Sequence, residues 1–335
     1  MPIKVAINGY GRIGRGLHRR LLDYGDGGIE VVAINSRSSA ESHAYLLKYD
    51  TLYGKCKADI AVDGDNLKIN GKIVHVYRVK DPGELDWAKH DVDIVIESTG
   101  RFTNYEDAEK HLQAGAKRVI ITAPCKDPKI NNVVMGVNHT VCDVNGCKVV
   151  SNASCTTNCL APVLKVMHKE FGVEKAFVSS LHAFTHTQNL LDNSNPEDFR
   201  RARAATESII PTTTGAMKAI GRVIPELDGK IEGMAYRLPV PVVSCIDCVL
   251  QLSKEVSVED VNNAFRKHES GDLQGILGTS DEPLVSSDFR RDERSAIVDT
   301  QSTRVMSDGF VKLIAWYDNE WGYISRIEDL IKWFS

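Results

Sequence analysis

The sequence lacks the features that mark a membrane protein, a secreted protein or a nucleic-acid-binding protein. No apolar run approaches the roughly 20 residues of a membrane-spanning helix. The first residues start directly on a strand pattern, so we expect no signal peptide. The net charge is −4, and no basic excess points to nucleic acid as the main partner. No internal repeat or low-complexity linker interrupts the 335 residues, a length that predicts two domains.

The eight cysteines also lack the spacing of a metal site. Cys245 and Cys248 form a CxxC pair, but the pair lies in an apolar, strand-like run and no second CxxC completes a zinc site. Cys142 and Cys147 offer no set of four ligands either. Because disulfides are rare in long chains without a secretory signal, we predict reduced thiols and no bound metal.

The chain is organised around residues 151–159, which read SNASCTTNC in one-letter code. Apolar residues precede and follow this stretch, which predicts a strand end, a polar turn and then a helix. Ser154 and Thr156 favour a helix start, so we place Cys155 at a helix N-terminus, where unpaired N–H groups favour a thiolate. The alternative is a small buried apolar residue, the usual role of a free cysteine. The polar neighbours favour a nucleophile.

The N-terminal segment shows a strand at residues 3–8, a GxGxxG motif, a helix at 15–24 and a strand at 29–35. The glycines of the motif are Gly9, Gly11 and Gly14. They allow a tight turn and the close approach of a pyrophosphate to a helix N-terminus. This context predicts dinucleotide binding, against the alternative of a purely structural glycine turn.

The end of the second strand carries no carboxylate. Residues 35–39 read NSRSS, at the place where an acid normally binds the adenosine ribose hydroxyls. Ser36 tolerates a 2′-phosphate, and Arg37 is able to bind one, unless Arg37 simply lies in solvent. The segment therefore predicts NADP and/or NAD as the cofactor.

Strand and helix signals alternate as far as residue 150, which predicts a Rossmann-type doubly wound parallel sheet. Thr99 and Gly100 follow one of its buried strands, and ligands bind at the carboxyl ends of such strands. The strands expected after the second one lie at residues 73–77, 94–98 and 119–122, with a helix around 108–114.

The second half of the chain has longer strands that no longer alternate with helices. This pattern predicts an α+β domain with a mostly antiparallel sheet. We expect strands at 176–181, 237–252 and 305–316, helices at 214–223, 258–269 and 320–334, and a polar loop at 190–204. The predicted domains are 1–154 and 155–319, with residues 320–335 completing the first.

A nucleophilic cysteine needs a base, and His182 ends the predicted strand at 176–181. His186 is its nearest competitor, and any single histidine is more often structural. Arg237 opens an otherwise apolar predicted strand and is able to clamp a phosphate group, although arginine clusters more often lie in solvent. The remaining candidates for phosphate binding are Arg200, Arg201, Arg203 and the Thr-Thr-Thr-Gly segment at 212–215.

Three segments, residues 8–15, 153–159 and 316–323, resemble phosphorylating glyceraldehyde-3-phosphate dehydrogenase. The similarity covers essentially the whole chain, and the cysteine segment is highly specific to that family and its close relatives. The resemblance implies a nicotinamide-binding domain, a catalytic domain, a homotetramer and a role in cytoplasmic carbon metabolism. It also implies glyceraldehyde 3-phosphate and inorganic phosphate as reactants, with no membrane partner.

Position by position, Cys155 resembles the nucleophile of the family and His182 its activating base. The resemblance places these residues at the cofactor: Gly9, Gly11, Arg12, Ile13, Gly14, Ser36, Arg37, Lys80, Thr99, Gly100, Thr122 and Asn319. Thr185 and Arg237 resemble the binders of the substrate phosphate. The residues implied around the attacking phosphate are Ser154, Thr156, Thr214 and Gly215, with Arg201 between the two sites.

The chain departs from the NAD-type pattern of the family at Ser36, which is usually Asp. A second departure is the pair Asn193 and Ser194, where a Leu-Pro-like pair is common. Lys80 occupies a position that often carries Arg. The two departures, at Ser36 and at Asn193 with Ser194, argue against strict use of NAD and favour use of NADP.

The implied reaction has two steps. The Cys155 thiolate attacks the aldehyde, His182 removes the hydroxyl proton during hydride transfer, and phosphate then attacks the resulting thioester. Erythrose-4-phosphate dehydrogenase is the alternative enzyme, but it tends to lack Thr185 and the Thr-Thr-Gly-Ala stretch that is present here at 213–216. A non-catalytic moonlighting or scaffold protein is the third alternative, and the intact pair of Cys155 and His182 argues against it.

Overall fold

The computed structural model describes residues 1–25, 27–143, 146–196 and 198–335, which form two compact units. The first unit comprises Met1–Val133, Thr140–Ala153 and Ile324–Ser335, and the second Val134–His139 and Ser154–Tyr323. In these residues the α-helices are α1 (Arg12–Tyr24), α2 (Ala40–Lys48), α3 (Tyr105–Gln113), α4 (Cys155–Phe171), α5 (Ala216–Val223), α6 (Val258–Glu269) and α7 (Trp321–Trp333). No helix of the described residues is long and apolar enough to cross a membrane.

The strands of the first unit precede residue 152, and those of the second follow residue 172. The first set is β1 (Ile3–Asn8), β2 (Ile29–Asn35), β3 (Tyr49–Asp50), β4 (Gly54–Lys55), β5 (Ile60–Asp63), β6 (Asn66–Ile69), β7 (Lys72–Tyr77), β8 (Ile94–Glu97), β9 (Arg118–Ile121), β10 (Asn131–Asn132) and β11 (Val149–Ser151). The second set is β12 (Val173–Ala183), β13 (Ile210–Thr212), β14 (Ile231–Leu238), β15 (Ser244–Leu252), β16 (Leu277–Ser280), β17 (Ala296–Asp299), β18 (Arg304–Met306) and β19 (Phe310–Tyr317).

The sheet of the first unit has the order β10-β11-β9-β8-β1-β2-β7-β6-β5. All its pairs from β10 to β7 are parallel, and β5 and β6 add an antiparallel edge. The central strands are continuous apolar runs because both faces of the sheet are covered, as at the fully buried Ile7 and Ile96. The predicted Rossmann-type sheet is confirmed. The chain order reverses between β1 and β8, and ligands bind at such a point.

Helix α1 begins at Arg12, three residues earlier than the sequence pattern predicted. Gly14 therefore lies inside the helix, where a Cβ atom would collide with the carbonyl oxygen of Gly9 and with the Ile7 side chain. The third glycine of the motif thus allows α1 to pack closely on β1. The sequence pattern also missed helix α2 and the hairpin of β5 and β6.

The sheet of the second unit has the order β13-β14-β12-β15-β19-β17-β16, with β18 beside β19. Only two of its pairs, β12 with β14 and β16 with β17, are parallel in the described residues. The predicted mostly antiparallel sheet is confirmed. The parallel pairing sets His182 directly opposite Arg237, so the two side chains share one face of the sheet.

The prediction of one strand over residues 237–252 is wrong. Strand β14 ends at Leu238 and β15 begins at Ser244, and they lie on opposite sides of β12. Pro239 and Pro241 interrupt the run because proline has no N–H to give to a strand ladder. Arg237 therefore lies near the end of β14 rather than opening a strand. Residues 190–204 form a loop as predicted, apart from residue 197, which lies outside the described residues.

Candidate active site

Cys155 is the first residue of α4, as the sequence predicts. The side chain of Ser154 caps the helix and accepts a hydrogen bond from the backbone N–H of Thr157 at 3.0 Å. Ala153, just before the cap, has a φ of 52°, a conformation that non-glycine residues rarely adopt. The sharp turn presents the half-buried thiol at the N-terminal end of the helix dipole.

His182 lies next to Cys155. Its Nε2 atom is 3.4 Å from the Cys155 Sγ atom, and its ring is buried near the end of β12. His186, the competing candidate, is exposed in the loop after that strand. The structure therefore brings Cys155 together with the histidine that the sequence favoured.

Arg237 and the carbonyl oxygen of Ala183 both face Nδ1 of His182. The Arg237 Nη1 atom lies 2.6 Å from Nδ1, and the Ala183 oxygen lies 2.7 Å from it. A ring proton on Nδ1 bonds the carbonyl and leaves Nε2 with a lone pair facing Cys155. A bond donated by Arg237 instead requires the proton on Nε2, which then points at the sulfur. Only the first tautomer makes His182 a base toward Cys155.

Burial and, to a smaller extent, the positive charge of Arg237 lower the pKa of His182 to about 3, while the hydrogen bond to the Ala183 carbonyl raises it in part. Burial also raises the pKa of the Cys155 thiol, while Arg237 and hydrogen bonds from Thr156 lower it. The sequence suggested a stabilised thiolate. Burial, by contrast, favours the uncharged form of each group, because it raises the pKa of the thiol and lowers that of the imidazole.

Tyr317 completes this pocket and was not predicted. Its hydroxyl lies 3.0 Å from Oγ1 of the buried Thr156, and its ring contacts the His182 ring edge-on at 6.1 Å between centroids. Tyr317 ends β19 inside the motif at 316–323, which was the available signal. It holds Thr156 and the ring of His182 in place.

A second arginine lies near Arg237. Arg201 donates to Oγ1 of Thr212 through Nε and Nη2, at 2.9 and 2.8 Å, and pairs with Asp198 at 3.2 Å. Thr212 lies on β13, which pairs with β14 so that Ile210 faces Arg237. Burial lowers the pKa of the Arg237 guanidinium, Cys155 and Tyr317 raise it, and the charge of Arg201 lowers it in addition. Two neighbouring cations of this kind favour an anionic ligand.

The other phosphate candidates lie in turns. The backbone N–H of Thr185 donates to Oε1 of Gln188 at 2.8 Å, and the Thr185 hydroxyl contacts that of Thr187 at 2.9 Å. Thr214 accepts a hydrogen bond from the N–H of Ala216 at 3.2 Å, and Gly215 caps helix α5 without a side chain. Both segments are polar turns with hydroxyl groups.

The glycine motif of the first unit fits a pyrophosphate. Gly9 has a φ of 93°, and a Cβ atom there would lie 2.7 Å from the backbone of Ser98 and Thr99. Gly11 caps α1, and in the described part of the chain no side chain makes a cap hydrogen bond at this helix start. Arg12 and Ile13 form the first turn of α1, and Arg12 pairs with Asp50 at 2.5 Å.

Thr99 is held by a buried carboxylate that was not predicted. Glu97, at the end of β8, accepts hydrogen bonds from the N–H of Thr99 at 2.8 Å and from the Thr99 hydroxyl. Its other oxygen accepts from Asn8 at 2.5 Å and from Nε2 of His111 at 3.1 Å. The indole N–H of Trp87 donates to Nδ1 of His111 at 3.0 Å, which places the ring proton on Nε2. Glu97 therefore receives four donors and acts as a carboxylate.

The hydrogen bonds around Glu97 continue through Asn8 to Asn35 and form one network with it. Asn35 lies at the end of the candidate cofactor site where adenosine would bind. Nδ2 of Asn35 donates to Oδ1 of Asn8 at 2.7 Å and to the carbonyl of Val79 at 3.0 Å, and the N–H of Val79 returns a bond to Asn35 at 2.9 Å. Asn35 precedes Ser36, and Val79 precedes Lys80. One buried network thus positions both ends of the site in the first unit.

The side chains expected to select the cofactor lie at the surface. The N–H of Ser36 donates to the carbonyl of Tyr77 at 3.0 Å, while Arg37 and Lys80 are exposed. Arg78, which was not predicted, is an exposed cation that pairs with Asp65 at 3.2 Å. Its charge lowers the pKa of His43, after burial and Arg15. Three cations therefore lie on the two segments that the network joins.

The remaining cofactor candidates follow strand ends or lie in the second unit. The N–H of Thr122, after β9, donates to the carbonyl of Glu97 at 2.9 Å, and Gly100 is exposed with a φ of 72°. In the second unit, Ser244 donates to Oδ1 of Asn319 at 3.1 Å and accepts from the N–H of Ala183 at 3.0 Å. Ser244 thereby fixes the Asn319 amide with its NH₂ group turned away as a donor.

Comparison with known proteins identifies the family. The sequence model described as "Glyceraldehyde 3-phosphate dehydrogenase, NAD binding domain" matches residues 3–105, and that described as the C-terminal domain matches residues 154–319. The chain belongs to the glyceraldehyde-3-phosphate dehydrogenase family. The predicted resemblance is confirmed, and membership makes the chain an oxidoreductase that uses an NAD(P)-type cofactor.

Relatives that carry the family name match along their full length. Glyceraldehyde-3-phosphate dehydrogenase of Priestia megaterium is 51% identical over 335 residues, which cover 100% of this chain and 99% of its own. That of Geobacillus stearothermophilus is 52% identical over 330 residues, which cover 98% of this chain and 97% of its own. Glyceraldehyde-3-phosphate dehydrogenase 1 of Bacillus subtilis is 50% identical over 330 residues, with the same coverage.

Proposed function

We propose that the chain catalyses the reversible oxidative phosphorylation of glyceraldehyde 3-phosphate to 1,3-bisphosphoglycerate, in glycolysis and gluconeogenesis. One observation carries the proposal. The Cys155 sulfur, at the start of α4, lies 3.4 Å from Nε2 of the buried His182, with Arg237 beside the same ring. This arrangement supports a cysteine nucleophile, an adjacent base and a site for a phosphorylated substrate.

In the first step His182 takes the thiol proton of Cys155 on Nε2, and the sulfur attacks the aldehyde carbon. His182 gives this proton to the oxygen of the hemithioacetal, which forms its hydroxyl group. The ring, neutral again, then removes that hydroxyl proton as hydride leaves the carbon, with Nδ1 bonded to the Ala183 carbonyl. A bound nicotinamide would supply the acceptor for the hydride, and Asn319 is the residue that would hold its carboxamide. The thioester left on Cys155 is attacked by inorganic phosphate, which releases the acyl phosphate and the thiolate.

We assign Thr185 and Arg237 to the phosphate group of the substrate. Ser154, Thr156, Thr214 and Gly215 bind the attacking phosphate, and Arg201 lies between the two. The proximity of Arg201 to Arg237 and the polar turns at Thr185 and Gly215 support this assignment. A phosphate bound by Arg237 also competes for the guanidinium that faces Nδ1 of His182, which favours the basic tautomer of the ring.

We propose that NADP is used well, beside NAD. Ser36 replaces the usual acid, and Arg37 and Lys80 are exposed cations on the segments that follow β2 and β7. The other residues that would hold the cofactor are Gly9, Gly11, Arg12, Ile13, Gly14, Thr99, Gly100, Thr122 and Asn319. Two observations support these assignments. Gly9 and Gly14 leave no room for a Cβ atom beside the neighbouring backbone, and Ser244 holds the Asn319 oxygen so that its NH₂ group points away as a donor.

We further propose a homotetramer in the cytoplasm, on the resemblance to the family. We also propose a dinucleotide-binding domain at 1–154, completed by 320–335, and a catalytic domain at 155–319. The grouping of residues 1–133 and 140–153 with 324–335 in one compact unit supports this division.

The proposed reaction is tested by following the absorbance of the reduced nicotinamide. With glyceraldehyde 3-phosphate and NADP or NAD, we expect turnover that requires inorganic phosphate, since phosphate removes the thioester. Erythrose 4-phosphate is the comparison substrate. Faster turnover of erythrose 4-phosphate without phosphate would replace the proposal with the hydrolysing relative, and no turnover of either substrate would reject both.

A further inference from the structure

Cys142 and Cys147 form a pair in the first unit, apart from the site described above. The Nδ2 atom of Asn131 lies 3.6 Å from the sulfur of Cys142 and 3.6 Å from that of Cys147. The two thiols also interact directly with each other. The N–H of Cys147 donates to the carbonyl of Asp143, the neighbour of Cys142, at 3.3 Å. Both sulfurs therefore lie beside the same side-chain amide, that of Asn131.

The backbone at each cysteine is held by a different element. The indole N–H of Trp333, in α7, donates to the carbonyl of Cys142 at 3.4 Å. Arg118, in β9, donates to the carbonyl of Cys147 at 2.8 Å, and its guanidinium stacks over the Phe334 ring at 4.7 Å. The thiols are thus brought together by contacts that do not depend on a bond between them.

The two thiols differ in access. Cys142 is fully buried, while Cys147 is half-buried. Burial and the neighbouring Cys147 thiol raise the pKa of Cys142 to about 12, although Asn131 and Arg118 lower it in part. A reagent from solvent therefore reaches Cys147 first, and Cys142 is placed to react second.

We propose that Cys142 and Cys147 are a modification site that forms a reversible disulfide with low-molecular-weight disulfides as the oxidant. The Cys147 thiolate attacks one sulfur of glutathione disulfide, breaks its S–S bond and releases one glutathione thiolate. Cys142 passes its proton to a departing thiolate, attacks the Cys147 sulfur and releases the second glutathione. Two protein thiols are oxidised, and one glutathione disulfide is reduced to two thiols.

The test uses the full chain in a Cys155→Ser background, so that the candidate nucleophile does not compete. The protein is treated with glutathione disulfide, blocked with N-ethylmaleimide and analysed by mass spectrometry. Trypsin leaves both cysteines on the peptide 130–148, so the disulfide appears there as the loss of two hydrogen masses. Cleavage before Asp143 then yields two peptides joined by the bond. Cys125→Ser, which removes another buried thiol of this unit, should give the same product.

The single variants separate the two roles. Cys142→Ser should leave Cys147 as a stable mixed disulfide with glutathione. In Cys147→Ser, Cys142 should react with glutathione disulfide about tenfold more slowly than Cys147 does in Cys142→Ser, since a buried thiol reacts slowly. The proposal is overturned if neither cysteine reacts before the protein unfolds, if Cys142 reacts first, or if Cys147 keeps glutathione in the presence of Cys142.

Discussion

His182 is the residue whose surroundings decide how Cys155 reacts. Burial and Arg237 hold its pKa at about 3, so the ring stays neutral at ordinary pH. The Cys155 pKa is raised by burial, against Arg237 and Thr156. We therefore expect the pair to react by proton transfer at the moment of attack rather than as a preformed ion pair.

We therefore expect alkylation of Cys155 by iodoacetamide to rise with pH through and above the ordinary thiol range. No step should occur near pH 6.5, the usual pKa of histidine, because the folded pKa of His182 lies far below it.

His182→Asn should lower turnover by roughly 10²–10⁴, and Cys155→Ser should abolish it without loss of cofactor binding. His186→Asn is the matched control and should change neither alkylation nor turnover. Fast alkylation that persists down to pH 5 would instead indicate an ion pair.

At the scale of the elements, β1, β2 and β8 end in polar residues that hydrogen-bond to one another. Because Glu97 is fully buried and accepts four hydrogen bonds, an amide in its place would turn an NH₂ group toward other donors. We expect Glu97→Gln to lower the free energy of unfolding by roughly 1.5–3 kcal/mol and to weaken cofactor binding, since Thr99 loses its anchor. Urea unfolding and a fluorescence titration with NADP measure the two effects.

Glu106→Gln is the matched control, because Glu106 is an exposed acid on α3. It should leave both the stability and the affinity unchanged. If the two variants behave alike, Glu97 has no positioning role in the cofactor site.

The same elements show what the sequence predicts and what it does not. The start of α4 at Cys155 follows from local capping, and β1 and β2 from their apolar runs. The division of residues 237–252 between two strands depends on β12 lying between them, which no local pattern contains. Glu97 was missed because a single acid in an apolar strand is informative only when its partners, Asn8 and His111, are known.

For the whole molecule, the cofactor proposal is best tested through folding stability, since a ligand that binds only the folded chain stabilises it. At a concentration of 100 times the Kd the gain is about 2.7 kcal/mol. A charged contact to the 2′-phosphate contributes roughly 1.5–3 kcal/mol, which corresponds to about 10- to 150-fold in affinity. We therefore expect NADP to raise the melting temperature at least as much as NAD at equal concentration.

Two variants test whether the stabilisation by NADP depends on Ser36 and Arg37. Ser36→Asp places a negative charge where the 2′-phosphate would lie, so NADP should lose its stabilising effect while NAD keeps its own. Arg37→Ala removes one cation and should weaken the NADP effect alone; Lys55→Ala, at another exposed cation of the first unit, is the control. Greater stabilisation of the wild type by NAD, together with no change of the NADP effect in Arg37→Ala, would show that the missing acid at Ser36 does not select for the phosphate.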